Sequence, residues 1–144
     1  MKIAIASDHR GYELKEYIKK NLKGVDIIDL GTNNTKPVDY PDYAFKLCEY
    51  IKKHNCLGVA ICGSGIGISI ACNKVKGIRC AKVNSIKETR YTRRDNDANV
   101  IALSSRINRE RCIKIINTFL NEEYTNLERH NKRIKKISEY EGSF

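Results

Sequence analysis

The sequence predicts an α/β fold: a doubly wound, Rossmann-like five-stranded parallel sheet flanked by helices. Two observations carry this. Five short runs rich in Ile, Val, Leu and Ala recur along the chain and are apolar nearly throughout, as strands buried on both faces must be. The stretches between them place apolar residues at helical spacing. A third observation puts function on that frame. Residue types with chemistry gather at the ends of the predicted strands, where open parallel sheets bind their ligands.

The runs fall at 2–6, 25–30, 57–62, 78–83 and 99–103. Leu14, Tyr17, Ile18 and Leu22 form the apolar stripe of a helix after the first run; Ala44, Leu47, Cys48 and Ile51 form another after the second. A small-residue helix begins near Ile66, and Cys112, Ile115, Ile116, Phe119 and Leu120 mark the helix after the fifth run. From Tyr124 onward the chain is polar and basic, with Leu127, Ile134 and Ile137 as sparse apolar positions. This predicts a C-terminal helix that packs weakly on its own domain and reaches a partner subunit. The length of 144 residues suits a single domain spanning 1–144.

Composition excludes several classes. No apolar stretch is long enough for a membrane span, and the N-terminus runs directly into a strand pattern rather than a signal peptide. A soluble cytoplasmic protein with no membrane partner is expected. The formal charge of +10 invites a nucleic-acid reading. Acids alternate with the bases, however, and the denser basic clusters at 87–94 and 129–136 carry few aromatic residues for stacking, Tyr91 apart. No specific nucleic-acid partner is expected. The six cysteines form no CxxC pair and no Cys/His ligand pattern, so five of them read as buried small hydrophobes in a reducing compartment.

Cys62 is the exception. It ends the third apolar run and is followed by Gly63, Gly65 and Gly67 at alternate positions, then by the helix near Ile66. Glycines so spaced let backbone N–H groups converge on an anion at a helix N-terminus, and the same terminus favours a thiolate. Asp8-His9 follows the first run directly, with Asp8 placed to cap a helix and His9 offered to the same crevice. Arg129, His130 and Arg133 put two guanidinium groups on one helix face, an arrangement that suits either a phosphate clamp or a solvated basic helix. Taken alone, Asp95 and Asn96 belong to a loop entering the fifth strand, Asp29 and Asp39 to turns or caps, and His54 to the surface.

Together these blocks resemble one family over nearly the whole chain: the ribose-5-phosphate isomerase B and galactose-6-phosphate isomerase family, on its ribose-5-phosphate isomerase B side. The resemblance rests on Ser7-Asp8-His9-Arg10-Gly11, Asp29-Leu30-Gly31-Thr32, Asp39-Tyr40-Pro41-Asp42 and the run 62–74. It continues through Gly77-Ile78-Arg79, Asn96-Asp97-Ala98-Asn99-Val100, and Arg129-His130 with Arg133. It implies an aldose–ketose isomerase of phosphorylated sugars that uses no metal and no organic cofactor.

By that resemblance Cys62 is the base at C2 of the opened sugar. The amides of Gly63, Gly65 and Gly67 and the side chain of Asn96 hold the enediolate, and Ser64, where a Thr is common in the family, moves the hydroxyl proton. Asp8 and Tyr40 contact the sugar. His9, Arg106, Arg129 and Arg133 bind phosphate, with His130 beside them. The resemblance further implies a homodimer or homotetramer with shared sites, the segment around Asn96 and Arg106 coming from the partner. Some relatives carry a Glu base six residues after the cysteine, but this chain has Ile68 there.

Two departures stand out. Asp95 occupies the position where the family usually has a ring-opening His, and an unperturbed aspartate, with a pKa of about 3.9, is a poor proton donor at neutral pH. Leu127-Glu128 replaces the usual Gly-Gly ahead of Arg129. The alternatives to a ribose 5-phosphate isomerase are an isomerase of a six-carbon aldose phosphate, such as allose or galactose 6-phosphate, and a non-catalytic sugar-phosphate-binding relative.

Overall fold

The computed structural model describes residues 1–142, so the last two residues of the expected 1–144 domain lie outside the described residues. The chain runs β1 (Lys2–Ser7), α1 (Tyr12–Asn21), β2 (Asp26–Asp29), α2 (Tyr40–His54), β3 (Leu57–Cys62) and α3 (Ile66–Asn73). It continues with β4 (Cys80–Lys82), α4 (Ile86–Arg94), β5 (Val100–Ser104), α5 (Arg109–Asn121) and α6 (Glu128–Glu141). The five strands form one parallel sheet in the order β2-β1-β3-β5-β4. All five predicted strands are present. β4 is shorter than predicted because it is an edge strand paired with β5 alone, and Ile78 lies in the turn leading to it.

Alternation along each strand divides the interior into two cores. Ile3, Ile5, Val59, Ile61, Ile101 and Leu103 face α1 and α5, where Leu14, Ile18, Ile115, Ile116 and Phe119 are buried. The other face carries small residues, Ala4, Ala6, Ala60 and Ala102, against which α2 and α3 pack through Leu47, Cys48, Ile51, Ile68 and Cys72. Cys62 belongs to this second face. Each predicted helical stripe is the buried face of its helix.

The order reverses direction at β1, which has β2 on one side and β3 on the other. That leaves a crevice at the carboxyl ends of β1 and β3, the position that doubly wound sheets use for ligands. Register then decides what meets there. Ser7 pairs with Ile61 and Cys62 with Ser104, so Asp8, Cys62 and the turn after β5 arrive at one edge.

On α6 only His130 is buried among the described residues, while Ile137 is half exposed and Tyr140 is 96% exposed. This is the weakly packed helix that the sparse apolar positions predict. None of the helices among the described residues is long and apolar enough to cross a membrane.

Candidate active site

A cleft of about 690 Å³ opens at the carboxyl edge, lined by residues of three segments: Asp8, His9 and Arg10 after β1, Val38 to Asp42 at the start of α2, and Cys62, Gly63, Ser64 and Gly67 after β3; Arg106 completes it. The segment after β1 is shaped by Asp8. Its Oδ1 accepts hydrogen bonds from the amides of Arg10 (3.0 Å) and Gly11 (3.1 Å), and Gly11 is the N-cap of α1. Asp8, predicted to cap the helix, instead organises the turn ahead of it, since Gly11 is the N-cap and no side chain caps α1; its second carboxylate oxygen takes no bond among the described residues. His9 accepts the amide N–H of Val38 at Nδ1 (3.1 Å). In the neutral imidazole this fixes the tautomer, so that Nε2 carries the proton and is the donor left for a ligand.

The turn after β3 is built around the cysteine. Cys62 is 4% exposed, and its Sγ accepts the amide N–H of Gly65 at 3.2 Å. Gly65 has φ +77°, and a Cβ there would lie 2.9 Å from the carbonyl carbon of Leu103, so β5 closes directly on the turn. α3 begins at the next residue with Gly65 as N-cap, which directs its free N-terminal amides at the same place. Ser64 Oγ accepts the amide of Ile66 (3.1 Å). The amides of Gly63, Ser64 and Gly67 take no hydrogen bond among the described residues and remain as donors. Gly67 also admits Tyr40, since a Cβ on Gly67 would lie 2.7 Å from Cζ of that ring. The carbonyl of Gly63 is held from below by the Ser104 hydroxyl at 2.8 Å and the Ser105 hydroxyl at 3.4 Å.

Three further thiols, of Cys48, Cys72 and Cys112, are fully buried in the cores. Burial pushes the Cys112 thiol up to about 12. A hydrogen bond with Cys72 and burial push Cys48 up as well. These are packing groups in the two cores. Ile68 is fully buried on the α3 face and offers nothing to the cleft.

The remaining candidates are elsewhere in the chain. Asp95 C-caps α4 at the amino end of the sheet, and its Oδ1 lies 3.4 Å from Nε2 of His130 on α6. The neighbouring Asn96 offers its carbonyl to Nε of Arg79 (2.9 Å). Arg129 and Arg133 flank His130 on the same helix and line no part of the cleft. Val100 pairs with Gly58 and Ser104 with Cys62. At about 3.3 Å per residue, the length of β5 separates Asn96 from the cysteine of its own chain. Arg106, expected to come from a partner subunit, instead lines the cleft of its own chain, because it follows Ser104 at the carboxyl end of β5.

Sequence reasoning left out Arg10 and the two serines under Gly63. Arg10 stands beside His9, and Ser104-Ser105 ends the fifth apolar run, so position alone was the available signal. Among the described residues no group of three or more His, Cys, Asp and Glu is arranged to hold a metal ion.

A cysteine held by a glycine turn at the switch point of a doubly wound parallel sheet, with a histidine and an arginine across the cleft, defines a small-molecule site for an anionic ligand. The ribose/galactose isomerase family matches residues 3–137, and the chain belongs to that family. It is 45% identical over 144 residues to a Mycoplasma pneumoniae protein named probable ribose-5-phosphate isomerase B, covering 96% of this chain and 94% of the other. The structure of Clostridium thermocellum ribose-5-phosphate isomerase B superposes with a TM-score of 0.94 at 44% identity, covering 99% of this chain and 98% of that one. The Mycoplasma genitalium ribose-5-phosphate isomerase B, solved with bound ribulose-5-phosphate, gives 0.92 at 42% identity over 99% and 97% of the two chains.

Proposed function

We propose that the chain interconverts ribose 5-phosphate and ribulose 5-phosphate through a cis-enediolate, without a metal or organic cofactor, acting as one catalytic domain in the pentose phosphate pathway of the cytoplasm. The observation that carries this is the Cys62 sulfur, buried at the cleft floor, accepting the Gly65 amide at the N-terminus of α3. A thiolate so placed removes the C2 proton of the opened aldose and returns it to C1. The electron pair of the C2–H bond becomes the C1–C2 double bond of the enediolate. Ser64 carries the hydroxyl proton from O2 to O1 as the carbonyl moves from C1 to C2.

A carbon acid beside a carbonyl ionises at a useful rate only if the oxyanion is stabilised by preorganised donors. The Gly65 amide serves the sulfur, so the donors left for the enediolate are the amides of Gly63, Ser64 and Gly67, joined by Asn96 of the partner subunit. Asp8 and Tyr40 position the sugar hydroxyls. His9 and Arg106 bind the phosphate, which lies away from the reacting carbons and supplies binding energy for orientation. The separation of Asn96, Asp95, Arg129, His130 and Arg133 from Cys62 within one chain supports a homodimer, or a homotetramer made of such dimers. In it α6 and the loop entering β5 complete the site of the partner.

Isomerisation of ribose 5-phosphate, with exchange of the C2 hydrogen into heavy water, tests the reading. Cys62→Ala is expected to lower kcat about a thousand-fold. Near-normal turnover in that variant would remove the cysteine mechanism. A higher kcat/KM for allose 6-phosphate or galactose 6-phosphate would assign a six-carbon substrate, and phosphate-ester binding without exchange would leave a binding protein.

A further inference from the structure

We infer that Arg10 is a phosphate-binding residue of this cleft, forming with His9 and Arg106 a three-donor anion site contained in one chain; the identity of the anion as a sugar phosphate rests on the function proposed above. Three observations support it. Arg10 lines the cleft beside His9, Cys62 and Gly63. Its backbone is fixed by the bond from its amide to Asp8 Oδ1. Its side chain crosses Gly63 so closely that a Cβ there would lie 2.8 Å from Cδ and 3.3 Å from Nη1. The stem thus runs across Gly63 at the mouth of the cleft, in a residue that is exposed overall, and the absence of a side chain at position 63 is what permits it.

The charge accounting favours an anion. Arg79 and Arg93 pair with Asp97, and Arg90 and Arg94 with Glu122; Arg10, Arg106, Arg111, Arg129 and Arg133 have no ion-pair partner among the described residues, and of these only Arg10 and Arg106 line the cleft. Arg109 stacks on Tyr17. Arg10 has no carboxylate within ion-pairing distance among the described residues, although Asp8, Asp39 and Asp42 line the same cleft. Asp8, two residues earlier, accepts backbone amides through Oδ1 and forms no ion pair with the Arg10 guanidinium. An unpaired guanidinium lining the same cleft as His9, whose Nε2–H is free, matches the oxygens of a phosphate dianion, which accepts the paired donors of an arginine fork.

The test separates this inference from the isomerase reading by using inorganic phosphate as the probe. Amide NMR of the 15N-labelled full chain, titrated with phosphate at constant ionic strength, should show shifts over residues 8–11. In Arg10→Met the dissociation constant is expected to rise at least ten-fold, with partial recovery in Arg10→Lys. With ribose 5-phosphate, Arg10→Met should raise KM ten-fold or more while kcat changes by less than three-fold. An unchanged phosphate affinity in Arg10→Met overturns the assignment, and so does a fall in kcat at constant KM. If the wild-type chain turns over no sugar phosphate but phosphate binding still depends on Arg10, the proposed function fails and the anion site stands.

Discussion

Nε2 of His130 lies 3.4 Å from Oδ1 of Asp95, and this contact ties the start of α6 to the loop that enters β5. The same junction is closed by Thr125, whose amide and hydroxyl both donate to the Arg94 carbonyl, at 3.1 and 2.8 Å. His130 is the buried residue of α6, and Asp95 is the carboxylate its ring faces, an ion pair when the imidazole is protonated.

This pairing sets the expected outcome for Asp95→His, the substitution that restores the residue type usual in the family. It places a second imidazole against His130 and removes the carboxylate. Isomerase activity at neutral pH should fall about ten-fold or more, and Asp95→Asn should behave similarly, with the folded fraction checked by circular dichroism. A gain in Asp95→His would mean that the carboxylate is a handicap and that the contact with His130 does nothing for the reaction.

A second ionic cluster joins α1 to the end of β2. The ammonium of the fully buried Lys15 lies 2.7 Å from Asp29 and 2.9 Å from Glu16, and Lys19 reaches Asp29 at 2.8 Å. Asp29 Oδ1 accepts the Gly31 amide, and the Gly31 carbonyl accepts the Ser7 amide at the end of β1, so the cluster supports the strand that presents Asp8. Burial works to raise the Asp29 carboxyl, but hydrogen bonds from Lys15, Lys19 and the Gly31 amide outweigh it and hold the group below its ordinary 3.8. A depressed carboxyl stabilises the fold above its unfolded value and loses that contribution as pH falls through its folded one. Asp29→Asn removes the closer carboxylate from the buried Lys15 while leaving Glu16 at 2.9 Å, and should cost roughly 1–3 kcal/mol by urea denaturation at pH 7. The gap to wild type should narrow as pH drops below about 4, and a gap independent of pH would contradict the ionic account.

How much of this was legible in the sequence depends on the distance over which each feature is determined. The five strands and the buried stripes of α1, α2 and α5 follow from local periodicity, which sequence carries directly. The Cys62 turn is equally local, since sulfur, glycines and helix N-terminus lie within a few residues. The bond from Val38 to His9 spans 29 residues and the serine bonds to Gly63 about 41, and no pattern announces them. Taken alone Asn96 reads as part of a loop, and only the resemblance assigns it to a partner's site; strand polarity puts it at the opposite edge of its own sheet from Cys62. The same resemblance sends Arg106 to the partner as well, and misses that the direction of β5 delivers it to the cleft of its own chain.

The glycines of the turn should tolerate substitution unequally. At Gly65 a Cβ meets the backbone of Leu103 and Ser104 at 2.9–3.0 Å, and φ is +77°. Neither can yield without opening β5, so Gly65→Ala should destabilise by more than about 1 kcal/mol and abolish turnover. At Gly67 the clash is with the ring of Tyr40, a side chain 38% exposed and able to swing away. Gly67→Ala should therefore keep nearly normal stability while raising KM through the displaced tyrosine. Equal melting temperatures for the two variants would refute the distinction.

The separation of Cys62 from Asn96 makes a sharper demand. If each site takes its cysteine from one chain and Asn96 from another, Cys62→Ala and Asn96→Ala are each inactive as pure proteins but complement each other. A hybrid dimer then holds one site with both residues intact and one with neither. Random mixing of equal amounts makes half the dimers hybrid, so activity should recover to about a quarter of wild type. The surface for such a dimer is available beside the cleft, where Ile66 and Ile70, one turn apart on α3, are 54% and 56% exposed. Ile70→Asp should weaken association by sedimentation and abolish the recovery at the same time. Mixed variants that stay inactive while forming hybrids by mass spectrometry would show that Asn96 does not serve the neighbouring site.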